Sequence, residues 1–234
     1  MSEPKTEINA NNMLEIYLVR HGETSWNNEF RVQGRTDIDL NDTGRTQAEE
    51  LGDLLSGISF ARIDTSPLLR AANTAKIILS KQISPQKPAY LEDSDLAEVH
   101  LGNLEGKTYD KVVAMMRERT GNHYESPFDV FLRGDCIPNG ETQAQVRARV
   151  KKHYESLLKS ELQSLSYEDC SVLVVGHSSC LSVYVDIILG QGTTYNEISK
   201  QRVLKHGAFH YFKVNITSGV VQEYRLNAVD VANL

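Results

Sequence analysis

Short apolar runs alternate along this chain with longer stretches in which apolar residues recur every three or four positions. The first kind predicts strands and the second predicts amphipathic helices. Strands are expected over 15–19, 62–65, 89–92 and 171–175, the last being the most strand-like run of the chain. Ala48, Leu51, Leu54 and Leu55 keep helical spacing behind a cap at Asn41-Asp42-Thr43-Gly44. Further helices are expected over 68–80, 108–120, 141–163 and from Ser178 to Leu189. Pro67 suits a helix start, because its missing N–H would be unpaired there anyway. Residues 208–214 and 220–226 flank a Thr217-Ser218-Gly219 turn and read as a terminal hairpin. Residues 23–39, 93–106 and 121–140 read as loops. Alternating strands and helices imply the α/β class, with a mostly parallel, doubly wound sheet between helical layers in a three-layer α/β/α arrangement. Residues 1–13 are expected to be a disordered polar lead-in, and 14–234 a single domain in which 106–140 forms a lid or insertion.

Composition narrows the function classes. The chain has 234 residues, 40% hydrophobic and 24% charged, with a net charge of −6, so there is no broad electrostatic case for nucleic acid or an anionic membrane. Any anion site must be local. No apolar run approaches the roughly 20 residues of a transmembrane helix. The start, MSEPKTEINANN, has the character of neither a signal nor a transit peptide. Cys136, Cys170 and Cys180 are odd in number and widely spaced, which fits a reducing, cytoplasmic setting and no disulfide framework or zinc pair. His206 and His210 lie four apart, but they flank Gly207 beside a strand-like aromatic run, so a helical metal pair does not fit.

Three strand-to-helix junctions carry the candidate chemistry. Ile16-Tyr17-Leu18-Val19 ends in Arg20-His21-Gly22, the second strand leads to Ser66-Pro67 and Arg70, and 171–175 ends in Gly176-His177-Ser178-Ser179. Open α/β sheets place ligands at the carboxyl ends of their strands, so Arg20, His21, Arg70 and His177 can converge. Gly22 allows a sharp turn and a close approach. Two guanidiniums and two imidazoles in one cleft repel each other unless an anion lies between them, and arginine forks match phosphate oxygens. The helix beginning near Ser178 adds backbone N–H groups and a positive dipole end. One imidazole would act as nucleophile and the other would stabilise the phosphoryl oxygens. Glu98, in a loop able to fold over the cleft, is the candidate acid/base. The negative charge of bound phosphate favours a protonated carboxyl there.

These residues resemble the histidine phosphatase superfamily, in its phosphoglycerate mutase-like branch. Arg20-His21-Gly22-Glu23-Thr24 with Trp26-Asn27 looks like its RHG signature. Gln33-Gly34-Arg35, Asp39-Leu40 with Thr43-Gly44, Ser66 to Ala71 with Thr74-Ala75, Leu96-Ala97-Glu98 with Gly102 and Glu105-Gly106, Gly140-Glu141-Thr142, and Gly176-His177 follow in the family's order, spanning about 14–189. The resemblance implies a phosphoglycerate mutase-like fold with His21 as the phosphorylated nucleophile and Glu98 as the proton donor. Arg20, Arg70 and His177 would hold the phosphoryl group. Asn27, Gln33, Gly34 and Ser178 would add phosphate or substrate contacts. It implies no metal and no organic cofactor. Ser178-Ser179 departs from the glycine common after the second histidine, where a side chain could add a bond or crowd the pocket. Cys180 reads as a small buried thiol.

The family holds phosphatases and mutases. A mutase must shield the phosphohistidine from water and bind a carboxylate with extra cations. Here the region after the acid/base loop balances Lys107, Lys111, Arg117, Arg119 and Arg133 against Asp110, Glu118, Glu125, Asp129 and Asp135. That favours a phosphatase acting on a small phosphorylated metabolite, such as a sugar phosphate, as a monomer or homodimer. The alternative is a mutase, and a non-catalytic phosphate-binding module ranks third. Tyr109, Arg117, His123, Tyr124 and Arg133 are candidates to touch the far end of the substrate.

Overall fold

A computed structural model describes residues 13–159, 170–190 and 203–231 of the chain. Strand β1 (Met13–Arg20) leads into a short helix, α1 (Ser25–Asn28), and then α2 (Asp42–Leu54). Next come β2 (Phe60–Thr65), α3 (Leu69–Ser80) and β3 (Ala89–Glu92), then α4 (Tyr109–Thr120), α5 (Pro127–Leu132) and α6 (Gln143–Lys159). The chain closes with β4 (Cys170–Gly176), α7 (Ser178–Ile188), β5 (Phe209–Asn215) and β6 (Val221–Ala228). The lead-in expected over 1–13 lies outside the described residues except for Met13, which opens β1; so does the 160–163 end of the expected long helix.

The strands form one sheet in the order β3-β2-β4-β1-β5-β6. The pairs β1–β4, β2–β4 and β2–β3 are parallel, whereas β5 and β6 return antiparallel as the expected hairpin. Strand alternation divides the core. Leu14, Ile16, Leu18, Val172 and Val174 pack against α6 and α7 on one face, and Tyr17, Val19, Leu173 and Val175 pack against α2 and α3 on the other. Each such side chain contributes about 1.5–3 kcal/mol by burial, which fixes the strand ends that carry the chemistry. A third cluster, with Val32, Leu104, Val112, Met116, Tyr124 and Val130, underlies the region after residue 100. No helix among the described residues is long and apolar enough to cross a membrane.

Two stretches expected as loops contain α-helices, and 93–106 contains 3-10 turns at Ser94–Leu96 and Gly102–Leu104. Within 121–140, Ser126 caps α5 and pairs reciprocally with Asp129, while Pro127 sits in its first turn. Within 23–39, Thr24 and Asn27 form the same kind of box around α1. Both helices are too short to show a hydrophobic period, so only their caps marked them.

Candidate active site

The carboxyl ends of β1, β2 and β4 lie side by side, with Arg20 opposite Gly176 and Thr65 opposite Val175. His21 is pinned at its backbone. Its N–H donates to Gly176 O at 3.0 Å, and its carbonyl accepts from Nδ1 of His206 at 2.7 Å. The His21 ring is fixed as well, with Nδ1 lying 2.7 Å from the Gly22 carbonyl. A carbonyl only accepts, so Nδ1 carries the proton and Nε2 presents a lone pair. Burial, then Arg70, His177, Arg20 and His206, hold the His21 imidazole well below its ordinary value of 6.5, so the ring is neutral at pH 7.

Gly22 works by close approach of the Gly44 backbone. A β-carbon there would lie 2.3 Å from the carbonyl oxygen of Gly44, in the first turn of α2. Its N–H donates to Thr74 Oγ1 at 3.0 Å, and that hydroxyl donates to Arg70 O at 2.7 Å. Thr74 therefore ties the β1 turn to the helix that carries Arg70.

Arg70 is 1% exposed. Its guanidinium donates to the carbonyls of Thr36 and Gly34 at 3.0 and 2.8 Å. Burial, only partly offset by Glu98 and Asp37, pushes it down to about 10, so it remains a cation at neutral pH. Arg20 donates to Leu204 O at 3.4 Å. The His177 ring lies 5.1 Å from that of His21, and its Nε2 lies 2.8 Å from Ser66 Oγ. Burial, followed by Arg70, Arg20 and Arg149, holds His177 well below 6.5. Arg20 Nε, Arg70 Nε, His177 Nδ1 and Gln33 Oε1 are buried with no hydrogen-bond partner among the described residues. Buried polar atoms without partners are costly, and the three nitrogens belong to residues whose charge or ring acts on the His21 imidazole. An anion there would satisfy the unpaired donors and relieve the crowding of cations.

Glu98 is nearly buried and reaches the first turn of α7. Oε1 accepts from the backbone N–H of Val99 at 2.9 Å and of Cys180 at 3.1 Å, and Oε2 accepts from Ser179 N–H at 3.3 Å. The Ser179 and Cys180 donors that the sequence directs at phosphate therefore hold the carboxylate instead, because it comes down on the same positive helix end. The Glu98 carbonyl is clamped in turn, accepting from Arg35 Nε and from an Arg149 nitrogen, both at 3.2 Å. Glu141 joins the clamp. It accepts from Arg35 at 2.8 Å, from Arg149 at 3.1 and 3.2 Å, and from His100 N–H at 2.9 Å. Burial would raise the Glu141 carboxyl, but the His100 N–H with Arg149 and Arg35 holds it below its ordinary value.

Arg20, His21, Asn27, Gln33, Arg70, Glu98 and Ser178 line one cavity of about 520 Å³. Asn27 uses its carbonyl oxygen to accept from Thr24, so its amide hydrogens are what it offers a ligand. Gly34 is not on the cavity wall. Its carbonyl holds Arg70, and its φ of +55° beside Glu105 suits a glycine. Of the candidates for the far end only Tyr109 lines the cavity. Arg117 pairs with His123 at 3.0 Å, Tyr124 is buried with its hydroxyl on Asp135, and Arg133 lies over the Tyr124 ring. Of these four only Tyr124 belongs to the third core cluster, Arg117, His123 and Arg133 being exposed, and the far wall is formed by Arg31, Val32, Leu101 and the 125–131 segment instead. No role in the site follows from the sequence for Ser66, Thr74, Arg149 or His206, although Ser66 and Thr74 stand in the family-like segment that carries Arg70. His206 and His210 have separate partners, since His210 Nδ1 accepts from Asn227 N–H. Among the described residues no group of three or more His, Cys, Asp or Glu side chains could hold a metal ion. Cys180 is buried as expected, and burial pushes its thiol up to about 12, away from nucleophilic use.

A family model for the histidine phosphatase superfamily (branch 1) matches residues 16–216. The chain is 41% identical over 135 residues to phosphoglycerate mutase-like protein 4 of Arabidopsis thaliana, and that match spans 57% of each protein. It is 33% identical over 178 residues to the uncharacterized phosphatase PhoE of Bacillus subtilis, covering 76% of this chain and 79% of PhoE. The solved structure of Bacillus stearothermophilus YhfR superposes with a TM-score of 0.73 at 26% identity, over 94% of this chain and 98% of that one.

Proposed function

The chain belongs to branch 1 of the histidine phosphatase superfamily, and from that footing we propose that it hydrolyses small phosphate monoesters through a phosphohistidine on His21. The observation that carries this reading is the tautomer of His21. With Nδ1–H committed to the Gly22 carbonyl, the Nε2 lone pair is the group left to meet a ligand in a cavity that also holds Arg20, Arg70 and Glu98. In the first step Nε2 attacks phosphorus, the bond from phosphorus to the ester oxygen breaks, and Glu98 gives that oxygen a proton. In the second step water attacks the phosphoryl group, Glu98 takes the water proton, and the P–N bond breaks to release orthophosphate and free His21. Arg20, Arg70, Asn27 and His177 Nδ1 stabilise the equatorial oxygens as charge redistributes. Gln33 and Ser178 line the same chamber, and Gly34 acts through Arg70. No step requires a metal or an organic cofactor.

Hydrolysis is favoured over mutase action by the far wall. Among the described lining residues Arg31 is the only cation beyond Arg20 and Arg70, and it is already paired with Glu29 at 3.0 Å. A mutase needs free cations for the carboxylate of its acid. The test is incubation with 3-phosphoglycerate, with and without trace 2,3-bisphosphoglycerate, beside p-nitrophenyl phosphate and a panel of sugar phosphates. Release of orthophosphate with no isomer formed is the expected result. Interconversion to 2-phosphoglycerate without loss of phosphate would overturn it in favour of a mutase.

A further inference from the structure

The two halves of the cavity differ in chemistry. One holds His21 with Arg20 and Arg70, whose Nε atoms are unpaired among the described residues. The other is walled by Val32, Leu101, Phe128 and Phe131, and its charged groups are engaged by the protein. Arg31 donates to Glu29 and to the Gly106 carbonyl, and the Asp129 carboxylate accepts from the N–H groups of Glu125 and Ser126. This half has little to offer a second charge on a substrate.

Phe30 adjoins it. Phe30 is 67% exposed, and its ring meets that of the cavity-lining Tyr109 edge-on, with centroids 6.1 Å apart. The backbone of Phe30 is left-handed, at φ +50°. It is locked there by its N–H donating to Asn27 O at 3.1 Å and its carbonyl accepting from Tyr109 N–H at 2.8 Å. A bulky aromatic residue in that region is a steric outlier, whereas glycine occupies it freely. The exposed ring makes little contribution to the core that would offset the strain. Strain of this kind, on an exposed apolar residue beside a cavity, marks a group kept for contact with something else.

The geometry points to Phe30 and Tyr109 as an aromatic platform at the cavity mouth. The substrate is then a phosphate monoester of an uncharged alcohol that carries a flat, apolar group. This specificity rests on the phosphatase reading above. The phosphoryl group is held among Arg20, Arg70 and His177, the alcohol crosses the apolar wall, and its ring contacts Tyr109 and Phe30. A second negative charge on the alcohol would meet no free cation among the described lining residues.

The test compares kcat/KM for 2-phenylethyl phosphate and ethyl phosphate, whose leaving alcohols are chemically alike, in the full chain and in Phe30→Gly. The wild type should prefer the phenylethyl ester. Phe30→Gly should cut that preference about fivefold, mainly through KM, which is the size of one aromatic contact. The same substitution should raise the melting temperature, because glycine relieves the left-handed strain. Phe30→Tyr keeps the ring and should keep the preference. An unchanged preference in Phe30→Gly, or an equal loss in Phe30→Tyr, would overturn the platform. A wild type that hydrolyses both esters without preference would overturn this inference alone. No phosphate release from either ester would overturn the phosphatase reading and the platform with it.

Discussion

Acidification should destabilise this fold, and His206 sets the scale of the effect. Burial, with a smaller push from Arg20, lowers its imidazole from 6.5 to about 4, despite the bond to the His21 carbonyl that favours its charged form. In the unfolded chain the same ring titrates at the ordinary value. At pH 7 both states are neutral; at pH 5 the unfolded state binds a proton and the folded state does not. The ring therefore removes about 2 kcal/mol of stability between pH 7 and pH 5. A depressed histidine leaves stability intact above the unfolded value and lowers it as pH falls from 6.5 toward about 4. His21 and His177, both held well below 6.5 by burial and by neighbouring cations, add losses of the same sign. A typical domain has about 5–15 kcal/mol in all, so these rings make up a large fraction of it. His206→Asn isolates one of them while keeping an N–H donor for the His21 carbonyl. Unfolding free energies from urea titrations at both pH values should show the variant losing about 2 kcal/mol less than the wild type on acidification. Equal losses would refute the reasoning. The companion His206→Ala removes the donor and should lower kcat, whereas His206→Asn should retain it.

Further outcomes follow from single contacts. Glu141→Gln leaves Arg149 without its carboxylate beneath the Glu98 carbonyl and should cost about 2–3 kcal/mol at neutral pH, measured by denaturant unfolding. Glu141 is depressed in the folded state, so the difference from wild type should be complete above its unfolded value near 4.5 and should disappear as pH falls through the folded value. Gly22→Ala drives a methyl group against the Gly44 carbonyl at 2.3 Å and should destabilise by about 2–4 kcal/mol, with loss of activity in whatever folds. Ser66→Ala removes the hydroxyl 2.8 Å from His177 Nε2 and should lower kcat/KM about tenfold with little change in melting temperature.

What was legible in the sequence was whatever has a period or a junction. The unbroken apolar runs at β1 and β4 marked the central parallel pair, and the residues just past their ends marked Arg20, His21 and His177. The helices α1 and α5 were hidden because four and six residues give no period; the boxes at Thr24–Asn27 and Ser126–Asp129 were their only trace. The ring of support around the site was also hidden. Arg149 reaches it from a position whose local sequence carries no chemical signature, and Thr74 and His206 from positions whose local sequence does not show what they touch. Their partners, such as Arg149 with Glu98 and His206 with His21, stand 51 and 185 residues away in the chain. Gly22 was marked as special, but what approaches it is the Gly44 backbone, a contact that only the folded packing of α2 creates.

The central claim is the covalent intermediate on His21. The direct measurement is rapid acid-free quenching of the protein during turnover of a labelled phosphate monoester, followed by mapping of the label. An acid-labile, alkali-stable phosphoryl group is expected on His21, absent from His21→Ala and slow to decay in Glu98→Gln. Full hydrolysis by His21→Ala, or a label on any other residue, would contradict it.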